Sequence, residues 1–149
     1  MRSEVELFTA SDARRISDAL RVRFAVFVDE QRVPADEEID EHDRAGGDAV
    51  HALIYDAAQR PVATGRCFVR SDEAVQIGRM AVLAEARGLG LGAQILQALI
   101  AQARRRGCIV AVLHAQIHAR GFYERVGFVA YGPPFDDAGI PHIAMRRTL

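Results

Sequence analysis

Between Gln76 and Gln97 the chain reads QIGRMAVLAEARGLGLGAQILQ, and no other stretch limits the fold as much. An apolar run with strand character ends at Leu83, and a short turn follows. Arg87-Gly88-Leu89-Gly90-Leu91-Gly92 then leads directly into an amphipathic segment. The order is strand, glycine loop, helix. Glycines let a backbone approach an anion closely, and the first N–H groups of a helix have no partner within it. A phosphate-bearing ligand at this loop is the first expectation.

The other elements fall into place on either side. Glu4 to Thr9 alternates polar and apolar residues, as a first strand would. Ser11 can cap the helix that follows, with Asp12 in its first turn. Ile16, Leu20, Phe24, Phe27 and Val28 keep a helical spacing, so that helix should reach about Glu30, with Pro34 marking its end. Residues 35–48 carry six acidic side chains between Asp36 and Asp43 and lack an apolar period. They read as a loop or a short irregular helix, either solvated or able to attract a cation by its field. Val50–Tyr55, Pro61–Val69 and Ala74–Leu83 read as strands. The connections Asp56–Arg60 and Arg70–Glu73 are of hairpin length, which predicts an antiparallel meander.

After the loop a helix should span about Gly90 to Arg106, burying Ile95, Leu96, Leu99 and Ile100, and stop at Gly107. Cys108–Leu113 is continuously apolar, as for a strand buried on both faces. A strand–helix–strand step pairs it parallel to the strand before the loop. A short helix at about Ile117–Arg125, ended by Gly127, precedes two last strands. These are Phe128–Tyr131 and Ile140–Arg146, with a Pro- and Gly-rich connection between them. The fold expected is α/β of mixed type, one domain over residues 1–149.

Composition excludes several partners. With 149 residues, half of them hydrophobic and 26% charged, the chain can bury a full core. A formal net charge of −1 gives no electrostatic case for nucleic acid or an anionic membrane as partner. No apolar run approaches the roughly 18 residues of a membrane span, and MRSEVELF does not read as a signal peptide. Cys67 and Cys108 are isolated, which suits reduced core thiols in a cytoplasmic protein. The histidines show no metal-ligand spacing.

Three ligands compete for the loop. A P-loop needs Lys followed by Ser or Thr after its last glycine, and Ala93-Gln94 stands there. Gly88, Gly90 and Ala93 fit a loose dinucleotide fingerprint. That motif also needs a carboxylate at the end of the next strand, which here closes on Val112-Leu113-His114. The third pattern, Arg-x-x-Gly-x-Gly directly after a strand, is met by Arg87, Gly90 and Gly92. On it the chain resembles the GCN5-related N-acetyltransferase (GNAT) superfamily. Ile77-Gly78-Arg79-Met80-Ala81-Val82 looks like that family's fourth strand. Ala119, Tyr123, Gly127 and Phe128 fit its A-x-x-x-Y-x-x-x-G-F signature. More narrowly, Arg23, Val26-Phe27-Val28, Glu30-Gln31, Ile39-Asp40, His51, Ala115-Gln116, His118 and Gly139-Ile140-Pro141-His142 resemble the ElaA/YjcF-like branch. The likeness runs from the first helix to the last strand.

The resemblance implies a GNAT fold. Its sheet is twisted, mostly antiparallel and of six to seven strands, with a parallel, splayed pair at strands 4 and 5 and flanking helices. It implies acetyl-CoA as cosubstrate, without a metal. The pantetheine arm would pair with the backbone of Met80, Ala81 and Val82. The pyrophosphate would rest on Gly88, Leu89, Gly90, Leu91 and Gly92, with Arg87 adding charge or shaping the loop. Gln116 stands where many relatives carry Asn at the cofactor. Tyr123 matches the family's general acid. His51, His118 and His142 are the candidate bases, with a water relay as an equal alternative, whereas His114 is not a branch position. Glu30 and Gln31 border the acceptor, a primary amine of a small molecule or peptide. The sequence is also compatible with a homodimer. Two other readings are a silent acyl-CoA-sensing module and acyl-homoserine lactone synthesis, the latter because RFAVFVDEQ resembles the first helix of those enzymes.

Overall fold

The alternation of β2 (Val50–Tyr55) explains why helices must cover both faces of the sheet. Ala52 and Ile54 point into one hydrophobic cluster, whereas Leu53 points into another with Phe8 and Ala19. The computed structural model describes residues 4–71 and 73–149. Residues 1–3, at the start of the MRSEVELF segment, and Asp72, within the 70–73 connection, lie outside them.

Seven strands form one sheet in the order β1-β2-β3-β4-β5-β7-β6. Besides β2 they are β1 (Glu6–Thr9), β3 (Pro61–Val69), β4 (Ala74–Val82), β5 (Val110–Gln116), β6 (Val129–Asp137) and β7 (Ile140–Thr148). Every neighbouring pair is antiparallel except β4–β5, which is parallel. Helix α3 (Leu91–Arg105) covers one face with Ile95, Leu96, Leu99 and Ile100. Helix α1 (Ala13–Arg23) covers the other with Ala19 and Val22. Between them, Pro61 to Cys67 of β3 is buried at every position.

The parallel pairing positions the site. It runs only from Ala74–Val110 to Ile77–Leu113. Beyond this, β5 continues on β7 as far as Gln116–His142, while β4 continues on β3 as far as Val82–Ala63. Arg79 has a φ of 51°, and the β3–β4 register shifts between Thr64 and Arg66. An extra residue bends a strand and sharpens its twist. The bulge therefore carries β4 away from β5, and the two strands splay.

Four local expectations are corrected. Asp12, not Ser11, caps α1, accepting from the Arg15 N–H at 3.1 Å. The first helix does reach Glu30, but from Phe24 it is a π-helix. The acidic segment takes the short, irregular helical form of the two expected, and what is corrected is its full solvation. It forms α2 (Ala35–Glu38) and a 3-10 turn over Glu41–Asp43, with Glu38 and Asp43 buried. The connection expected around Gly132-Pro133-Pro134 lies inside β6, where the register shifts between Tyr131 and Phe135. A strand at the sheet edge tolerates proline, because its outward N–H has no ladder partner to lose. Elsewhere only boundaries differ. β5 starts at Val110, and the segment expected as one helix is a 3-10 turn over Ile117–Ala119 followed by α4 (Arg120–Glu124).

Candidate active site

The separated ends of β4 and β5 flank a cleft of about 850 Å³. Met80, Ala81 and Val82 form one wall. From the glycine loop only Arg87 and Gly92 line it. Gly88 and Gly90 take φ values of +82° and +79°, which side chains resist. Gly90 precedes α3 without a side-chain cap, so the first-turn N–H groups stay available. A Cβ on Gly92 would stand 3.4 Å from Phe122 Cζ, so the loop lies close against α4. Leu91 faces the core and Leu89 is exposed.

Arg87 is held from two sides. Its Nε donates to the Val82 carbonyl at 3.0 Å, and its two terminal nitrogens grip Glu30 at 3.0 and 2.7 Å. Glu30, expected beside the acceptor, thus ties the π-helix to the glycine loop. Gln31 and Gln116 exchange amide hydrogen bonds of 2.8 and 3.3 Å across the cleft. His118 adds an Nε2 contact of 2.6 Å to the same Gln116 oxygen. Gln116 therefore joins the β5 wall to the helix opposite.

Tyr123 is 8% exposed and meets Phe122 and Phe128 edge-on, at 4.9 and 6.1 Å. Burial pushes its hydroxyl up to about 12. Among the described residues, only Arg66 Nε and Gln94 Oε1 are side-chain polar atoms both shut off from solvent and without a partner. Among the described residues the Tyr123 hydroxyl has no partner either, so it is open to the cleft that the residue lines.

The histidines separate clearly. His142 lines the cleft, is 8% exposed, and has Nδ1 2.7 Å from the Ile140 carbonyl. His118 also lines it but is exposed. His51 does not line it. That ring is 1% exposed on β2, stacks on Phe8 and bonds the His42 carbonyl at 3.2 Å; burial pulls it down to about 4. It is a packed core histidine, and the reading of His51 as a base is dropped. His114, set aside on sequence, lines the cleft and meets Phe135 edge-on at 5.2 Å. Burial, then the charge of Arg70, lowers its basicity. Strand alternation with Gln116 was the signal that could have found it.

A buried ion network was not legible at all. Arg23 bonds Glu38 at 2.8 Å and Asp43 at 2.6 Å. Arg66 bonds Asp43 at 2.8 Å and Asp40 at 2.6 Å. Arg79 reaches Glu38 and Asp40 at 3.2 and 3.5 Å. Three cations balance three anions. Burial alone would raise Asp43, but the hydrogen bond and charge of Arg23 outweigh it and hold that carboxyl well below the usual range. The network pins the acidic segment to α1, β3 and the β4 bulge, and so builds Glu37, Glu38 and Arg79 into the cleft wall. Among the described residues no group of three or more His, Cys, Asp or Glu is set to hold a metal, and no helix is long and apolar enough to cross a membrane.

Residues 17–149 match the sequence model of a known family, the Acetyltransferase (GNAT) domain. The chain belongs to the GNAT family. Within it the chain is an acyltransferase of the ElaA/YjcF-like branch. It is 38% identical to YjcF of Bacillus subtilis, an uncharacterized N-acetyltransferase, over 93% of this chain and 96% of that protein. Escherichia coli ElaA superposes with a TM-score of 0.85 and 30% identity, covering 98% of this chain and 99% of that one. An acyl-CoA N-acyltransferase from Pseudomonas aeruginosa gives 0.85 and 31% over the same shares.

Proposed function

We propose that this GNAT protein transfers an acetyl group from acetyl-CoA to a primary amine of a small molecule or peptide, by direct attack in a ternary complex. The observation that carries this reading is the parting of β4 from β5 beyond Ile77 and Leu113, beside a glycine loop that opens a helix. A splayed strand keeps edge groups that must find partners, and an extended amide-bearing arm supplies them. In the reading, the arm pairs with Met80, Ala81 and Val82. The pyrophosphate rests on loop and helix N–H groups, with Arg87 at its side. A β4 N–H near the thioester oxygen would steady the negative charge that develops there.

The amine attacks the thioester carbon, the tetrahedral intermediate collapses, and the C–S bond breaks. Tyr123 protonates the leaving sulfur. A phenol raised to about 12 stays protonated at neutral pH, so it is always ready to donate. The attacking nitrogen is positively charged after addition, which offsets the phenol's weaker acidity, and it gives one of its protons to the tyrosinate left behind. The acyl-CoA enzyme of Pseudomonas aeruginosa, similar in both sequence and fold, supports coenzyme A as the carrier. The described elements share one sheet, which supports reading the chain as one domain. Two buried free cysteines fit a cytoplasmic setting.

Calorimetry with acetyl-CoA, followed by a thiol-release screen of polyamines, aminoglycosides, amino acids and peptides, tests the proposal. Binding and turnover that drops in Tyr123→Phe are expected. No binding at millimolar acetyl-CoA would sink it. Binding without any turnover would favour a silent sensing module.

A further inference from the structure

Resting on that reading, we infer that His142 is the general base, fixed by its backbone bond in the tautomer that leaves Nε2 free to take the acceptor's proton. A carbonyl oxygen can only accept, so the 2.7 Å contact with the Ile140 carbonyl puts the ring hydrogen on Nδ1. Neutral imidazole then carries its lone pair on Nε2. Among the described residues that nitrogen has no partner, yet it is not one of the partnerless atoms shut off from solvent. It opens to the cleft that His142 lines. Phe135 stacks on the ring at 5.8 Å with 26° between the planes and holds its orientation.

Neither other cleft histidine has both features. His118 is exposed, and its Nε2 is engaged by Gln116. Among the described residues His114 makes no hydrogen bond that would fix a tautomer, and it meets Phe135 edge-on. On β5, His114 and Gln116 face His142; on β6, Asp137 lies at the same end, and Arg70 acts on His114. Across the cleft stand Glu30, Glu37, Glu38 and Arg79, with His118 at the end of β5.

The proton balance closes. Nε2 takes one proton from the acceptor ammonium, and the freed lone pair forms the C–N bond. Sulfur leaves with the Tyr123 proton, the amide nitrogen returns one to the tyrosinate, and His142 releases its own to water.

Two measurements test this. Long-range proton–nitrogen NMR spectra of histidine-labelled protein should report neutral His142 as the Nδ1–H tautomer; an Nε2–H tautomer would overturn the inference. The second uses His142→Asn, which keeps a donor near the Ile140 carbonyl but cannot take a proton, with the best amine of the screen. A general base contributes roughly 10²–10⁴-fold, so kcat should fall by about that factor. The rise of kcat from low pH should vanish, while calorimetric affinity for acetyl-CoA stays within about twofold. His114→Asn should lose less than about tenfold. Unchanged kcat and pH profile in His142→Asn, with acetyl-CoA bound, would overturn the inference and leave the transferase reading standing. Failure of the unmutated protein to bind acetyl-CoA would instead remove that reading.

Discussion

A histidine in this chain is defined by its surroundings, and His51 is the clearest case. It stays neutral because burial excludes water, and this outweighs the bond that Nε2 donates to the His42 carbonyl, which works the other way. The ordinary value of 6.5 applies once the chain unfolds, against about 4 in the fold. The unfolded chain therefore binds the proton first as pH falls. Stability is whole above 6.5, drains as pH falls toward 4, and is flat below. At about 1.4 kcal/mol per unit, the loss comes to about 3 kcal/mol. Urea titrations from pH 7 to 4 should record it, and His51→Gln, which keeps a donor but does not titrate there, should flatten the slope. An unaltered slope would mean that His51 is not held neutral. His114 adds a smaller drift of the same sign. None of this could be read from the sequence, where His51, His118 and His142 were alike as branch positions. Burial and partner separate them; the partners are near in sequence, whereas burial comes from elements far apart in the chain.

At the scale of elements, close approach is what the sequence hides. Gly65 lies in β3 beneath α3, opposite the β4 bulge. A Cβ there would stand 2.6 Å from Met80 Sδ and 2.8 Å from Ile95 Cγ2. Gly65→Ala should destabilise the fold by about 1–3 kcal/mol, the usual range for overpacking. It should also weaken acetyl-CoA binding, because Met80 must shift in the cleft wall. Full stability with wild-type affinity would show that the contact relaxes freely. The meander, α3 and the parallel step were legible because period and hairpin length are local signals. The π-helix at Phe24–Glu30, the bulge at Arg79 and the strand through Pro133-Pro134 were not. Each is a backbone response to neighbours rather than to its own residues.

For the whole molecule, the splay leaves part of a sheet waiting for a partner. Acetyl-CoA at a hundredfold excess over its Kd should raise stability by about 2.7 kcal/mol. In hydrogen exchange the protection should concentrate on Met80–Val82 and the start of α3. Protection spread evenly over β1 to β3 would argue against binding at the strand edge.

By itself the sequence determined the family, the order of elements, the glycine loop and the tyrosine at the cleft, because these rest on short-range pattern. Tertiary structure alone decided how Gln31 and Gln116 bridge the cleft and how Glu30 holds Arg87. It also decided how three arginines and three carboxylates come together, four of the six buried and Arg79 and Asp40 partly exposed. Those contacts join residues up to 85 positions apart, as Gln31 and Gln116 are. Such a contact depends on where the splayed sheet brings two side chains, and nothing in either one's neighbourhood along the chain records it.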